Sequence, residues 1–310
     1  MKSLRIFMVI LFSILLGGCS SGHLSDQHQV HPSSPSKFED DTNHKSKKGI
    51  MNFLLIGSDS RGEPQSFSDA IIIAQYVPKE GNIKLISLMR DSYVKIPGYS
   101  KGYDKLNKAY FIGGNDLLKK TIYQNFGMKV DHSISIDFDG FANFIDLIAP
   151  EGITVNVSQK MIDDFNMEVK PGENALNGRE LLKYVRFRHD DESDFGRVKR
   201  QQEVIVKVKE QLKNKFSNFE SLAALPDFVE ESLNHVESDM DKGEILSVLS
   251  KLVFYPIKNI DSLRIPVQNS FENKTYPHAG AVLEINLEEN REALKDFLLK
   301  PSPVNREYHY

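Results

Sequence analysis

The chain has 310 residues, of which 40% are hydrophobic and 26% are charged, a balance typical of a folded protein with one large domain or two small ones. Its formal net charge of −4 gives no overall electrostatic basis for binding nucleic acid, which depends on concentrated positive charge. We therefore expect no nucleic-acid partner, and any binding of anions must depend on a local group of basic side chains.

The N-terminal segment has the pattern of a secretory signal. Lys2 and Arg5 precede an apolar stretch, residues 6–16, that is too short to span a bilayer as a helix. The segment ends in Leu-Gly-Gly-Cys, which resembles a bacterial lipobox, and Cys19 is the only cysteine of the chain. An accidental or buried cysteine would leave the flanking glycines unexplained. We expect residues 1–19 to be a lipoprotein signal peptide with Cys19 lipidated, which anchors the protein on the outer face of the cytoplasmic membrane.

The composition of residues 20–49 predicts a disordered tether. The stretch consists mostly of serine, histidine, aspartate, proline and lysine, and it has too few apolar side chains to order itself. Four histidines lie in it at irregular spacing, which favours solvated linker residues over a metal site: His23, His28, His31 and His44.

Three strands are predicted at the start of the folded part, at residues 52–56, 70–76 and 83–89. The first two are almost continuously apolar, as in a sheet that is covered on both faces. A short turn at residues 79–82 makes the second and third strands an antiparallel hairpin.

The remaining pattern alternates between strands and helices. It predicts strands at residues 132–137 and 153–157 and a final strand pair at 263–267 and 282–285, with helices at 116–126, 140–148, 198–216, 222–235, 242–254 and 288–299. The helix at 222–235 contains Pro226 as a break or a new start. The fold class predicted for residues 50–300 is α/β, a three-layer sandwich with a central mixed β-sheet flanked by helices, followed by a tail at residues 301–310.

Charged side chains lie at the ends of the first three predicted strands. Asp59 follows the first strand, Asp69 begins the second and Arg90 follows the third. If the strands run antiparallel, these three positions share one end of the sheet. The segment between the first two strands is also longer than the about two to five residues that a simple turn needs. We therefore expect a polar site at this end.

A second polar group lies further along the chain. Residues 184–188 alternate, so an extended conformation would direct Arg186 and Arg188 to one side, and the acidic segment at 189–196 is predicted to be flexible. The next helix has an apolar stripe that continues back to Gln201 and Arg197. Several guanidinium groups near a helix start favour a phosphate or pyrophosphate site, whereas pairing with the nearby acids would make them surface salt bridges. Arg90 and the two acids of the first group favour the site.

Four short motifs follow one another along residues 50–210. They are Ile-Gly-Ser-Asp-Ser-Arg at 56–61 with Ser68-Asp69, Ser-Leu-Met-Arg-Asp at 87–91, Lys-Leu-Asn-Lys-Ala-Tyr at 105–110 with Gly113-Gly114, and Arg-Phe-Arg at 186–188 with Asp194, Arg197 and Arg200-Gln201-Gln202. In this order they resemble the signatures of the LytR-CpsA-Psr family. Members of that family are extracytoplasmic enzymes of Gram-positive bacteria that transfer glycopolymers, such as wall teichoic acid, from a polyprenyl pyrophosphate carrier to peptidoglycan.

The resemblance implies a role for each matching residue. Asp59 and Asp69 would hold a Mg²⁺ ion, with Mn²⁺ as an alternative, that bridges the pyrophosphate. Asp91 and Asn107 occupy motif positions with structural or orienting roles. The side chains implied to contact the phosphates are Arg90, Arg186, Arg188, Arg197 and Gln201, with Arg61 and Lys105 adding charge.

The resemblance also implies a reaction. A sugar hydroxyl of peptidoglycan attacks the phosphorus that carries the glycan, the lipid monophosphate leaves, and Arg90 with the other cations neutralises charge. Either Asp69 or Asp91 would accept the hydroxyl proton, and the sequence does not choose between them. Two other functions stay open, a polyprenyl pyrophosphatase and a non-catalytic regulator of envelope synthesis that binds the lipid carrier. The apolar stripe at 138–148 either lines a slot for the lipid tail or is ordinary core.

Overall fold

The computed structural model describes residues 49–59, 66–191, 193–255 and 257–301. Strands β1 to β12 lie, in chain order, at Met51–Ser58, Ser68–Val77, Asn82–Leu88, Ser92–Lys95, Tyr103–Lys105, His132–Asp137, Ile153–Val157, Gly172–Leu176, Glu237–Ser238, Asn259–Ile265, Phe271–Tyr276 and Gly280–Ile285. Helices α1 to α9 lie at Leu106–Phe126, Phe138–Ile148, Gln159–Phe165, Gly178–Arg186, Ser193–Lys215, Phe219–Ala223, Leu225–Ser232, Lys242–Phe254 and Leu287–Leu299.

Some of the predictions fall outside the described residues. These are the signal peptide with Cys19, nearly all of the tether, Arg61 and the tail beyond residue 301. Within the described part of the chain, each helix is too short or too polar to cross a membrane.

The largest sheet confirms the predicted central mixed sheet. Its strand order is β10-β3-β2-β1-β6-β9. The strands β1, β2 and β3 are antiparallel neighbours, as the sequence predicts, whereas β6 runs parallel to β1 and β10 runs parallel to β3. The three predicted strands therefore form the middle of the sheet.

Alternate residues of the central strands enter two different cores. Leu54 and Ile73 pack in a core that includes side chains of α1 and α9. Phe53 and Ile72 point to the other face, where side chains of α5 and α8 pack against them. Because helices cover both faces, nearly every position on these strands is apolar. This arrangement is the three-layer sandwich that the continuous apolar runs predict.

A second sheet, with strand order β11-β12-β4-β5, lies beside the main one and was not predicted. Its strands β4 and β5 have only 4 and 3 residues, too few to show an alternating pattern. The predicted final strand pair is wrong, because β10 joins the main sheet while β12 pairs with β11 and β4. The strand predicted at 153–157 is β7, which pairs with β8 in a separate two-stranded sheet.

The six predicted helices agree with the observed ones apart from two corrections to their bounds, whereas the helices α3 and α4 were not predicted. The helix predicted at residues 116–126 is the second part of α1, which starts at Leu106 and is broken at Gly113 and Gly114. Gly114 has φ 58° and ψ −150°, a conformation that side chains with a Cβ atom rarely adopt. In addition, α5 begins at Ser193, so part of the acidic segment expected to be flexible is helical. Pro226 lies in the first turn of α7 and separates it from α6, as the sequence predicts.

Candidate functional site

The end of β1, the start of β2 and the end of β3 lie together at one edge of the main sheet. The backbone N of Asp59 donates a hydrogen bond to the carbonyl oxygen of Phe67 at 3.4 Å, which holds these two strand ends side by side. Nη1 of Arg90 forms an ion pair with Oδ1 of Asp69. The antiparallel order therefore places Asp59, Asp69 and Arg90 at the same end of the sheet, as expected.

The second sheet adds a further ion pair to this edge. Nζ of Lys105, the last residue of β5, lies 2.8 Å from Oδ1 of Asp91, and Nε of Arg90 lies 3.5 Å from Oδ2 of the same carboxylate. The backbone N of Asn107, in the first turn of α1, donates to the carbonyl oxygen of Arg90 at 3.1 Å. Both oxygens of Asp91 therefore face cations.

The first turns of α5 supply the other basic side chains. Arg197 is buried, with 4% of its surface exposed, and its Nη2 lies 2.9 Å from Oδ2 of Asp194. Nη1 of Arg188 lies 3.9 Å from the other oxygen of Asp194. Asp194 thus bridges two arginines. The sequence did not indicate this role, because salt bridges to the acids of this segment were considered only as an alternative to a phosphate site.

The electrostatic environment of Arg197 shows that the polar residues at the strand ends and those at the start of α5 lie close together. Burial lowers the pKa of Arg197, Asp194 opposes this effect, and the nearby charges of Arg90 and Arg188 lower the pKa further, with Asp69 acting in the opposite direction. Burial would also lower the pKa of Arg90, but the carboxylates of Asp69, Asp91 and Asp194 outweigh it and the pKa is raised. Arg90 and Arg188 therefore both lie within electrostatic range of Arg197.

Several polar atoms in this region are buried and have no hydrogen-bond partner within the described part of the chain. They include Nε of Arg90, Nε of Arg197, Oγ of Ser68 and Oδ1 of Asn107. An unsatisfied buried polar group is unfavourable by about 1–3 kcal/mol. Two of these atoms belong to guanidinium groups and can donate hydrogen bonds. An anion with several oxygen atoms would supply the acceptors that they need.

The structure corrects the prediction for residues 184–188. They are not an extended strand, because Gly178–Arg186 forms α4, with Asn177 as its N-cap and with Leu181, Tyr184 and Val185 buried. Arg186 and Arg188 therefore do not point to one side as strand neighbours. Arg188 reaches Asp194, whereas the guanidinium carbon of Arg186 lies 4.1 Å from the centre of the Phe138 ring.

Other residues of the fourth motif hold the backbone in place. Nε2 of Gln201 lies 3.5 Å from the carbonyl oxygen of Val185, and Nε2 of Gln202 donates to Oγ of Ser87 at 2.9 Å. Arg200 is buried and donates to the carbonyl oxygen of Phe187 at 2.5 Å and to Oδ2 of Asp190 at 2.6 Å. Arg200 thus fastens the segment before α5 to the helix.

The apolar stripe of α2 is mainly core. Ile145 and Ile148 are buried in a cluster with β7 and α4, and Phe141 and Phe144 pack against this cluster partly buried. The core alternative therefore accounts for this stripe.

A polar cavity of about 470 Å³ opens beside Ser58, the residue before Asp59. Hydroxyl, carboxylate, amide and imidazole groups line it, among them those of Tyr110, Ser135, Asp137, Asn143 and His235. These groups both donate and accept hydrogen bonds, which suits the hydroxyl groups of a sugar.

The donor set at the strand ends fits a magnesium ion. Asp59 and Asp69 supply hard carboxylate oxygens on neighbouring strand ends. The hydroxyl of Ser68, the residue before Asp69, is buried and has no hydrogen-bond partner among the described residues. Within the described residues, no group of three or more histidine, cysteine, aspartate or glutamate side chains is placed to hold a metal ion. Magnesium commonly binds through one or two carboxylates and completes its coordination shell with water and substrate phosphates. Two aspartates are therefore enough protein ligands for this ion.

The fold and this site define a member of a known class. The chain belongs to the LytR_cpsA_psr family, whose model matches residues 19–296. Over 250 residues, which are 81% of this chain and 75% of the relative, it is 38% identical to the regulatory protein MsrR of Staphylococcus aureus. Over 212 residues, 66% of this chain and 63% of the relative, it is 30% identical to the polyisoprenyl-teichoic acid–peptidoglycan teichoic acid transferase TagU of Oceanobacillus iheyensis.

Solved structures of TagT are also similar to this chain. TagT bound to LI-WTA matches with a TM-score of 0.65 and 26% identity, over 81% of this chain and 90% of that one. YwtF (TagT) with bound octaprenyl pyrophosphate lipid matches with a TM-score of 0.59 and 26% identity, over 81% of this chain and 91% of that one.

Proposed function

We propose that the protein is an extracytoplasmic phosphotransferase that moves a glycopolymer, such as wall teichoic acid, from a polyprenyl pyrophosphate carrier to peptidoglycan. The observation that carries this proposal is the convergence of Arg90, Arg188 and Arg197 beside Asp69. The names of the relatives support it, since TagU is a teichoic acid transferase and TagT binds octaprenyl pyrophosphate.

The physical reason is charge compensation. Arg197 is buried within range of the charges of Arg90 and Arg188, which is unfavourable unless anions balance them. Asp194, Asp69 and Asp91 supply part of the balance. Among the described residues, however, Nε of Arg197 has no hydrogen-bond partner, and Nε of Arg90 has an ion-pair contact with Asp91 at 3.5 Å without a hydrogen bond. Guanidinium groups bind phosphate oxygens through paired hydrogen bonds, so a diphosphate supplies both the charge and the acceptors.

The reaction needs positioning and charge neutralisation more than covalent chemistry. The acceptor hydroxyl oxygen forms a bond to the phosphorus that carries the glycan, and the bond from that phosphorus to the bridging oxygen breaks. The lipid monophosphate leaves with the electron pair, and Arg90, Arg188 and Arg197 stabilise the negative charge that it gains. A carboxylate of the site takes the hydroxyl proton. A Mg²⁺ ion bound by Asp59 and Asp69 would neutralise further phosphate charge.

A transfer assay tests the function. The full chain is incubated with Mg²⁺, peptidoglycan and a lipid pyrophosphate whose glycan is labelled. We expect the label to enter the insoluble wall polymer as lipid monophosphate appears in equal amount. Label released only as soluble glycan phosphate would instead establish a polyprenyl pyrophosphatase.

A regulatory role is a second candidate, because the relative MsrR is named a regulatory protein. A regulator that senses the lipid carrier needs the same arginines for binding but no turnover. Saturable binding of the lipid pyrophosphate in the presence of Mg²⁺ and peptidoglycan, with neither transfer nor hydrolysis, would support this role and exclude the transferase.

We predict that the transfer depends on Mg²⁺. Chelation by EDTA should stop the reaction, and added Mg²⁺ should restore it, with Mn²⁺ as a substitute. Asp59→Asn removes one hard oxygen ligand and should raise the Mg²⁺ concentration needed for half-maximal transfer by at least about tenfold.

The affinity of the protein for Mg²⁺ in the presence of pyrophosphate gives a second test of the metal site that does not depend on activity. Calorimetric titration of Mg²⁺ into the protein with inorganic pyrophosphate should show the same loss for Asp59→Asn. Asp163→Asn is the matched control, because Asp163 is a carboxylate on α3 that accepts a hydrogen bond from Gln159. Equal Mg²⁺ requirements for wild type and Asp59→Asn would contradict the metal assignment.

We propose that Cys19 anchors the protein to the outer face of the cytoplasmic membrane through a lipid. The support is the sequence alone, a lipobox before the only cysteine of the chain. In a Gram-positive host fed a labelled fatty acid, the wild type and Ser21→Ala should carry the label and Cys19→Ser should carry none. Label retained in Cys19→Ser would refute the lipid attachment.

A further inference from the structure

The outer face of the second sheet carries a group of aromatic side chains, which we call the tyrosine face: Tyr93, Tyr103, Tyr276 and His278, with Glu284 among them. Strand register places Tyr93 of β4 opposite Glu284 of β12, and Lys95 of β4 opposite Tyr103 of β5. On the opposite face of the sheet, Val94 is buried in the core that also packs against Ile285. The tyrosine face is therefore the side of this sheet that faces solvent.

The rings of this face pack on one another and remain accessible. The centroids of Tyr93 and Tyr276 are 4.6 Å apart with the ring planes 15° from parallel. The Tyr103 ring is 5.7 Å from Tyr93 and tilted by 31°, and 46% of Tyr103 is exposed. His278 lies 6.0 Å from Tyr276, ring to ring. Monomeric proteins rarely leave such a contiguous aromatic surface exposed without a use for it.

Hydrogen-bonding groups surround the rings. The Tyr276 hydroxyl donates to Oε1 of Glu284 at 2.6 Å, and Lys274 pairs with Glu284 and with Glu272. Nε2 of His278 lies 3.1 Å from the carbonyl oxygen of Tyr103, which holds the turn after β11 against β5. The result is an aromatic surface with carboxylate, hydroxyl and imidazole groups at its border.

The tyrosine face is continuous with the candidate site. Tyr93 lies opposite Lys105 in the β4–β5 register, and Lys105 holds Asp91 at 2.8 Å. Because side chains two residues apart on a strand share a face, Lys105 and Tyr103 lie on the same side of the sheet, next to Tyr93 of the neighbouring strand. A chain lying across the rings would therefore lead to the Asp91–Lys105 ion pair at the edge of the site.

We propose that the tyrosine face binds the glycan strand of peptidoglycan, the acceptor of the reaction. This inference rests on the proposed function. A pyranose ring has a face of C–H groups that packs against an aromatic ring, and its hydroxyl and amide groups then bond to the polar groups at the border. The occupant is thus a chain of sugar rings, held so that one hydroxyl extends towards Asp91.

The charges of the face favour the acceptor over the donor polymer. Glu272 and Glu284 balance Lys95 and Lys274, and Lys105 is paired with Asp91, so these charged groups sum to zero. A phosphate-rich glycopolymer would need an excess of cations, as in the arginine group of the site. Uncharged sugar rings need only stacking surface and hydrogen bonds, which this face offers.

Cosedimentation with peptidoglycan that has been stripped of attached polymers tests the proposal. Tyr103→Ala removes the most exposed of the three tyrosines and should weaken binding of the full chain by about tenfold, the effect of losing one aromatic contact of about 1.4 kcal/mol. Tyr103→Trp keeps a stacking surface and should bind as the wild type does. The matched control is Tyr255→Ala, because Tyr255 is 49% exposed and its carbonyl oxygen accepts from Tyr76, at the opposite end of β2 from Asp69.

Kinetics give an independent readout. With a labelled donor, Tyr103→Ala should raise KM for the peptidoglycan acceptor about tenfold and leave kcat unchanged. Unaltered binding by Tyr103→Ala, or binding lost for free glycopolymer rather than for stripped peptidoglycan, would overturn the proposal. Peptidoglycan binding that depends on Tyr103 in a protein without transfer activity would support the surface while refuting the proposed reaction.

Discussion

Replacing Arg197 with methionine is expected to reduce glycopolymer transfer by about 10²- to 10³-fold, the usual effect of removing one preorganised donor from developing charge. The same variant should be as stable as the wild type or more stable. Burial and two neighbouring arginines make the charge at this position unfavourable, as its lowered pKa shows. A methionine of similar length fills the space without that penalty, and Asp194 keeps Arg188 as a cationic partner at 3.9 Å, so its carboxylate is not left buried without a cation.

Arg200 provides the matched control on the same helix. It is almost as buried, with 8% exposure, but its guanidinium donates to the carbonyl oxygen of Phe187 and to Asp190. Arg200→Met leaves both acceptors without this donor and should lower the free energy of unfolding by about 1–3 kcal/mol. The two variants separate binding from folding, because one should lose activity with stability kept and the other should lose stability.

Thermal unfolding followed by circular dichroism and the transfer assay together measure this contrast. A large loss of stability in Arg197→Met would show that Arg197 is held by the fold itself, as Arg200 is. Full transfer activity in that variant would remove the diphosphate site from the place assigned to it.

The sequence predicted the central sheet because each central strand is buried on both faces. Leu54 and Phe53 are neighbours in the chain yet enter different cores, and both must be apolar. The inward position of Arg197 was also predictable, since it continues the 3.6-residue period of Val204 and Val208. The correct predictions therefore came from long segments with a clear hydrophobic pattern.

The errors came from short segments. Five residues, 184–188, alternate in a way that fits a strand, but the helical period of Leu181, Tyr184 and Val185 appears only over the longer stretch that begins at the N-cap Asn177. The tyrosine face could not be predicted, because strands of 3 and 4 residues bring its rings together from distant parts of the chain.

The bridging position of Asp194 was missed for a different reason. Salt bridges to the nearby acids and a phosphate site were considered as alternatives, which assumes that each arginine binds only one partner. In the structure Asp194 contacts Arg188 and Arg197 together, and it also acts on Arg90. A carboxylate of this kind holds several cations in place, so the salt bridges and the anion site coexist.

Replacing the residue that accepts the hydroxyl proton should also have a large effect on transfer. The sequence alone did not choose between Asp69 and Asp91 for this role. Both oxygens of Asp91 face cations, Lys105 at 2.8 Å and Arg90 at 3.5 Å, so taking a proton would disrupt an ion pair. Arg90 contacts Asp69 through Oδ1, so a proton placed on Oδ2 of Asp69 leaves the Oδ1 contact in place as a hydrogen bond. We therefore propose Asp69 as the base and Asp91 as the residue that positions Arg90 and Lys105.

Asp69→Asn should lower kcat by about 10²- to 10⁴-fold, the usual contribution of a general base, and Asp91→Asn should lower it by much less. Measuring both variants at saturating Mg²⁺ across a range of pH separates the two roles of Asp69. A lost base is replaced by hydroxide, so activity should rise steadily with pH, whereas a lost metal ligand should be rescued by the ion at any pH. An equal or larger loss in Asp91→Asn would reverse the assignment, and full activity in both variants would leave neither carboxylate as the proton acceptor.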